Sequence, residues 1–86
     1  MPVFKWNPLK SKRLKQTRGA SFEEILEGQF IEMIDHPTRM DQKILLMWYR
    51  NYVWAVPCIE TESNVFLKTL YKCRKYTKIF KRGKLS

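Results

Sequence analysis

A chain of 86 residues is enough for one domain with a single core. With 44% hydrophobic and 14% aromatic residues, it can fill that core without disulfides or metal. The formal net charge of +9 points to a polyanionic partner, and the absence of a long apolar run argues against a membrane span. The opening "MPVFKWNPLK" is too polar for a signal peptide, so a cytoplasmic protein is expected.

The charge is not evenly spread. Residues 1–18 carry six Lys/Arg and no acids, for +6. Residues 19–62 carry all eight acids against three bases, for −5, and residues 63–86 carry eight bases and no acids, for +8. If the two ends meet in the fold, their fields add into one basic face suited to nucleic acid.

In chain order, "VFKW" (3–6) is a short aromatic and β-branched run that reads as a strand. Asn7 is placed to cap a helix with Pro8 at its first position, where the missing N–H costs nothing. That helix, "PLKSKRLKQTR", should turn Leu9 and Leu14 inward and Lys10, Lys12, Arg13 and Lys15 outward, and Gly19 should end it. "SFEE" (21–24) is a capping box that opens a second helix with Phe22, Ile25 and Leu26 on one face. Gly28 is the expected C-terminal cap. "QFIEMI" (29–34) then reads as a strand, with continuation of the helix as the alternative.

A polar loop, "DHPTRMDQ" (35–42), leads to strands expected over 43–50, 52–60 and 65–72, with turns at Asn51 and 61–64. Pro57 cannot donate to a ladder and marks a bulge or an edge position. "CRKYTKIFKR" (73–82) returns to helical spacing, with Tyr76, Ile79 and Phe80 able to dock. The whole of 1–86 reads as one α+β domain: an antiparallel sheet of three to five strands, two N-terminal helices on one face and a short C-terminal helix. The other sheet face is left for solvent or a ligand.

Strand alternation over 65–72 puts Lys68 and Lys72 on one face, with Arg74, Lys75 and Tyr76 following at the junction with the helix. Arg forks onto phosphate oxygens, Lys supplies a point charge and Tyr supplies a stacking surface or a hydroxyl. Trp48, Tyr49, Tyr52 and Trp54 can stack on bases or fill the core. His36 is the one histidine, a candidate general base or a loop cap, with Arg39 three residues on. Cys58 and Cys73, with His36 as the sole further ligand, have no zinc spacing and read as reduced thiols. Three glycines leave no phosphate-binding glycine loop, and no acidic cluster is spaced to hold magnesium.

The opening "FKW", the basic helix, "RGASFEE", "DHPTR", "NYVWAVPCIE" and "VFLKTLYKCRKYTK" together resemble BrnT-type toxins of the RelE/ParE-like superfamily, over nearly the whole chain. That resemblance implies a compact α+β fold and metal-independent RNA cleavage without a cofactor. It also implies a cognate antitoxin as protein partner and RNA, including ribosome-bound mRNA, as substrate. Matched motif by motif, it falls on Arg74 and Lys75 after the last strand, on Lys68 of "FLKT" and on His36 and Arg39 of the loop, while Lys72 stands where proline is common in that family. Together with the residues read above, catalytic roles are expected for Arg74, Lys68 and His36, and RNA or phosphate binding for Arg39, Lys72, Lys75 and Tyr76. Two other classes remain open: a non-catalytic nucleic-acid-binding module and a ParE-like toxin with a target other than RNA.

Overall fold

The computed structural model describes residues 3–83; Lys84, the last cation of the C-terminal run, lies outside them. The elements run β1 (Val3–Lys5), α1 (Pro8–Arg18), α2 (Phe22–Leu26), β2 (Gln29–Asp35), β3 (Lys43–Tyr49), β4 (Tyr52–Glu60), β5 (Asn64–Leu67), β6 (Tyr71–Lys72) and α3 (Arg74–Lys81). The architecture is mixed α+β, built on one six-stranded sheet ordered β1-β5-β4-β3-β2, with β6 also paired to β4.

The sheet departs from the expected antiparallel one of three to five strands in two ways. β1 pairs with β5 in parallel, Phe4 opposite Val65. The run expected as one strand over 65–72 is divided into β5 and β6. The physical cause is Pro57. Cys58 faces Leu67 and Ala55 faces Tyr71, so Pro57 and Val56 are opposed by three residues, Lys68, Thr69 and Leu70. Pro57 accepts from the Lys68 N–H at 2.9 Å but has no N–H to return, and the ladder takes up an extra residue there. That residue inverts the alternation. Lys72 lands opposite Trp54, and Lys68 and Lys72 do not share a face as alternation predicts.

Two apolar clusters divide the alternating residues of β3 and β4. Leu45, Met47, Trp54, Val56 and Cys58 join Leu14 of α1 and Phe22 and Ile25 of α2. Ile44, Leu46, Val53 and Ala55 join Ile31, with Tyr76 and Phe80 of α3 packed against them. The sheet face expected to stay open is thus partly covered by α3. Buried side chains of this size contribute roughly 1.5–3 kcal/mol each.

Local chemistry sets the helix ends. The Asn7 side chain accepts from the Leu9 and Lys10 amides at 2.9 and 3.3 Å, and Gly19 closes α1 at φ 89°. The Ser21–Glu24 capping box is formed on both sides. Within α1 the expected inward pair is corrected: Leu9 is exposed, and Ser11 takes the buried position beside Leu14. Ser11 suits it because its hydroxyl accepts from the Phe22 N–H at 3.0 Å and donates to Glu23, tying α1 to α2. Glu27, not Gly28, caps α2. Gly28 is instead required by close packing, since a Cβ there would lie 2.5 Å from the Trp48 carbonyl oxygen.

Candidate nucleic-acid interface

The first turn of α3 is fastened to the start of β4 by a closed set of hydrogen bonds. The Cys73 N–H donates to the Val53 carbonyl at 2.8 Å. The Thr77 hydroxyl accepts from the Val53 N–H at 2.9 Å and donates to the Cys73 carbonyl at 2.7 Å. Thr77 is buried, and Trp48 and Phe80 stack beneath the helix at 4.8 Å between ring centroids. A rigid seat of this kind fixes where Arg74 and Lys75 stand.

Among the described residues, no side chain caps that helix start. Cys73 occupies the N-cap position and makes no side-chain capping bond, and no acid lies in the first turn. The positive end of the helix and its free amides therefore stand beside two exposed cations, Arg74 and Lys75. Among the described residues, the ion pairs formed are Lys15–Glu24, Lys43–Asp35 and Lys43–Glu60, and none involves Lys68, Lys72, Arg74, Lys75 or Arg39.

Around this junction the structure gathers most of the predicted site residues. The Lys72 ammonium lies over the Tyr52 and Trp54 rings, at 5.4 and 5.6 Å. The Lys75 ammonium lies 5.7 Å over the ring of Tyr76, which packs on the second cluster. Lys68 stands apart, half-buried opposite Pro57, four residues along β4 from Val53, about 13 Å. The strand aromatics are largely consumed by packing: Trp54 is buried, Trp48 meets Phe80 and Tyr49 meets Trp54 edge-on.

His36 and Arg39 are elsewhere. Asp35 faces Lys43 at one end of β3, whereas Val53, which holds Cys73, faces Trp48 near the other. Five residues of strand separate those points, about 17 Å. His36 also has a local task. Its Nδ1 accepts from the Thr38 and Arg39 amides, both at 3.2 Å, so it caps its own turn and leaves the ring hydrogen on Nε2. The loop encloses a shallow hollow of about 240 Å³ lined by Asp35, His36, Arg39, Met40 and Gln42.

Comparison with solved structures finds this architecture in the Brucella abortus ribonuclease toxin BrnT, known at 1.1 Å resolution. The match has a TM-score of 0.57 and 15% identity, covering 85% of this chain and 97% of that one. The two chains share a fold. No family model matches the sequence. No curated protein matches it either.

Two residues at the junction were not singled out by sequence. Thr77 sits among the cations of the last helix with no pattern to mark it. Arg18, one of six N-terminal cations, donates from Nη1 to the Leu70 carbonyl at 2.8 Å, across 52 residues of sequence. The two cysteines are free, and burial, with Glu60 adding, pushes the Cys58 thiol up to about 11, which makes it a poor nucleophile.

Proposed function

We propose that this chain is the toxin of a type II toxin–antitoxin pair, a cytoplasmic, metal-independent endoribonuclease of the RelE/ParE-like superfamily. The observation that carries the reading is the uncapped start of α3, flanked by Arg74 and Lys75 and seated on β4 through Thr77. The shared fold with a ribonuclease toxin supports it. In this reading the ribose 2′-hydroxyl gives up its proton and attacks the adjacent phosphorus in line, and the bond from phosphorus to the 5′-oxygen breaks. A 2′,3′-cyclic phosphate and a 5′-hydroxyl are left, with solvent carrying the proton to the departing oxygen. Arg74 and Lys68 offset the charge that builds on the phosphate oxygens, while Lys72, Lys75 and Tyr76 hold the neighbouring nucleotides. Arg39 contacts the RNA backbone away from the reacting phosphate. His36 orders the loop that presents Arg39. An antitoxin with an acidic or amphipathic segment neutralises the chain by covering the same cations.

A second reading, a nucleic-acid-binding module or ParE-like toxin without RNA cleavage, uses the same cations. It is favoured by one observation: the accepting nitrogen of the single histidine is committed to its own turn. Incubating the purified chain with a labelled single-stranded RNA in EDTA separates the two. Cleavage leaving 2′,3′-cyclic phosphate ends is expected, together with growth arrest on expression that the neighbouring reading frame relieves. Intact RNA under tight binding would move the assignment to the second reading.

A further inference from the structure

Among the described residues, no strand lies on the outer side of β6, because β1 flanks β5 alone. On that side the Leu70 carbonyl receives Arg18 from the last turn of α1. The side chain of Leu70 is buried in the first cluster while that of Tyr71, the next residue, is 37% exposed. A guanidinium and an open phenol ring thus stand on the free edge of β6, with Arg74 three residues further along the chain. The phenol's ionisation is pushed up by burial, then by Cys73 and Tyr76, and Arg18 opposes them.

An arginine can simply blunt an open strand edge. That role needs one donor, whereas a guanidinium has five N–H groups and the bond to Leu70 uses one. Among the described residues, none of the ion pairs formed includes Arg18. The ring also differs from its neighbours. Lys72 covers Tyr52 and Trp54, Lys75 covers Tyr76, and Phe80 covers Trp48.

We propose that Arg18 and Tyr71 form a nucleotide subsite for single-stranded RNA beside Arg74, the guanidinium forking onto a phosphate and the phenol ring stacking a base. The subsite rests on the function proposed above and extends it to α1, which brings the N-terminal charge block to the C-terminal one. The Leu70 bond fixes the guanidinium, so that less side-chain freedom is lost when a phosphate arrives.

The test uses a fluorescent single-stranded DNA ten-mer, which lacks the 2′-hydroxyl and is not cleaved, titrated by anisotropy at several salt concentrations. Arg18→Gln should reduce the salt slope of log affinity by about 0.7, the loss of one phosphate contact on a single strand. Tyr71→Leu should weaken binding roughly tenfold with the slope unchanged. An Arg18→Gln protein that melts earlier but binds with the parent's affinity and slope would reduce Arg18 to an edge guard and overturn the subsite. If Arg18→Gln does not fold, Tyr71→Leu decides alone, and parental affinity there overturns it. RNA cleavage by the parent reads the proposed function separately: a parent that binds with these slopes but does not cut keeps the subsite and loses the ribonuclease.

Discussion

The loop joining β2 to β3 and the junction joining β6 to α3 stand at opposite ends of the sheet, and they use their polar groups in opposite ways. In the loop, His36 accepts two amides, and its own N–H reaches the Gln42 carbonyl at 3.3 Å. Its polar atoms are largely satisfied from within. At the junction, Thr77 satisfies the backbone of Val53 and Cys73, yet among the described residues no side chain caps the start of α3 and no acid pairs with Arg74 or Lys75. Donors left to water rather than to the protein can turn to an external acceptor. Phosphate is the acceptor that fits an array of positive charge and N–H groups.

The largest effect expected from this contrast is at Arg74. Arg74→Ala should reduce cleavage of a model RNA by about 100- to 1,000-fold, as for loss of one transition-state donor. Its folding stability should change by no more than about 0.5 kcal/mol, because the side chain is exposed and forms none of the ion pairs found among the described residues. A matched thermal melt and cleavage assay reads both. Parental cleavage by Arg74→Ala would place the phosphate site away from α3.

Thr77 tests the seat rather than the occupant. In Thr77→Val the shape is kept, but the buried Val53 N–H loses its acceptor. The cost should be about 1–3 kcal/mol. For a domain of this size each kcal/mol lowers Tm by about 4–8 °C. A differential scanning fluorimetry curve superimposable on the parent's would show that the helix is held by apolar packing alone.

Much of this scaffold was legible before the structure, because its signals are local. Asn7–Pro8, Gly19 and Ser21–Glu24 each declare a helix end within four residues, and each end stands where it was expected. What failed was alternation carried past an irregularity. Pro57 signalled a bulge, but which strand would absorb the extra residue depends on pairing across ten residues of sequence, and that decided the faces of Lys68 and Lys72. Leu9 failed for a related reason: α1 has too few apolar residues to define its inner face, and the buried position went to a serine that could answer an amide on α2. Arg18 and Thr77 were illegible because their partners, Leu70 and Val53, are distant in sequence.

A smaller effect is expected at the other end of the sheet. His36→Ala should loosen the loop by about 0.5–1.5 kcal/mol through the loss of an acceptor for two amides. Cleavage should stay within about twofold of the parent, and the rate profile through pH 6–7, where an imidazole ordinarily titrates, should keep its shape. Abolition of a pH-dependent limb in this variant would reverse the comparison and make the loop the reactive end.

The smallest effect separates acid sensitivity of the scaffold from that of either end. Glu24 lies at the contact of α1 with α2, where the Lys15 ammonium donates to it at 2.8 Å and the Ser21 amide at 3.0 Å. The Lys15 hydrogen bond first, then the Ser21 amide, pull its carboxyl down from 4.5 to about 2. A carboxyl whose folded value lies below its ordinary one binds its proton more readily when unfolded. Its contribution is therefore complete above pH 4.5 and is lost as the pH falls towards 2. Glu23 is lowered too, chiefly by the Ser11 hydroxyl, so its contribution also weakens on acidification. Glu24 is half-buried but its partner Lys15 reaches solvent, so the contribution is small and salt will weaken it. Urea midpoints of the parent should fall as the pH drops through this window, and those of Glu24→Gln should fall less. The test is sharp because it places an acid limb at the contact of α1 with α2. If Glu24→Gln follows the parent curve over that whole range, the carboxylates at the helix contact are not what acid attacks first.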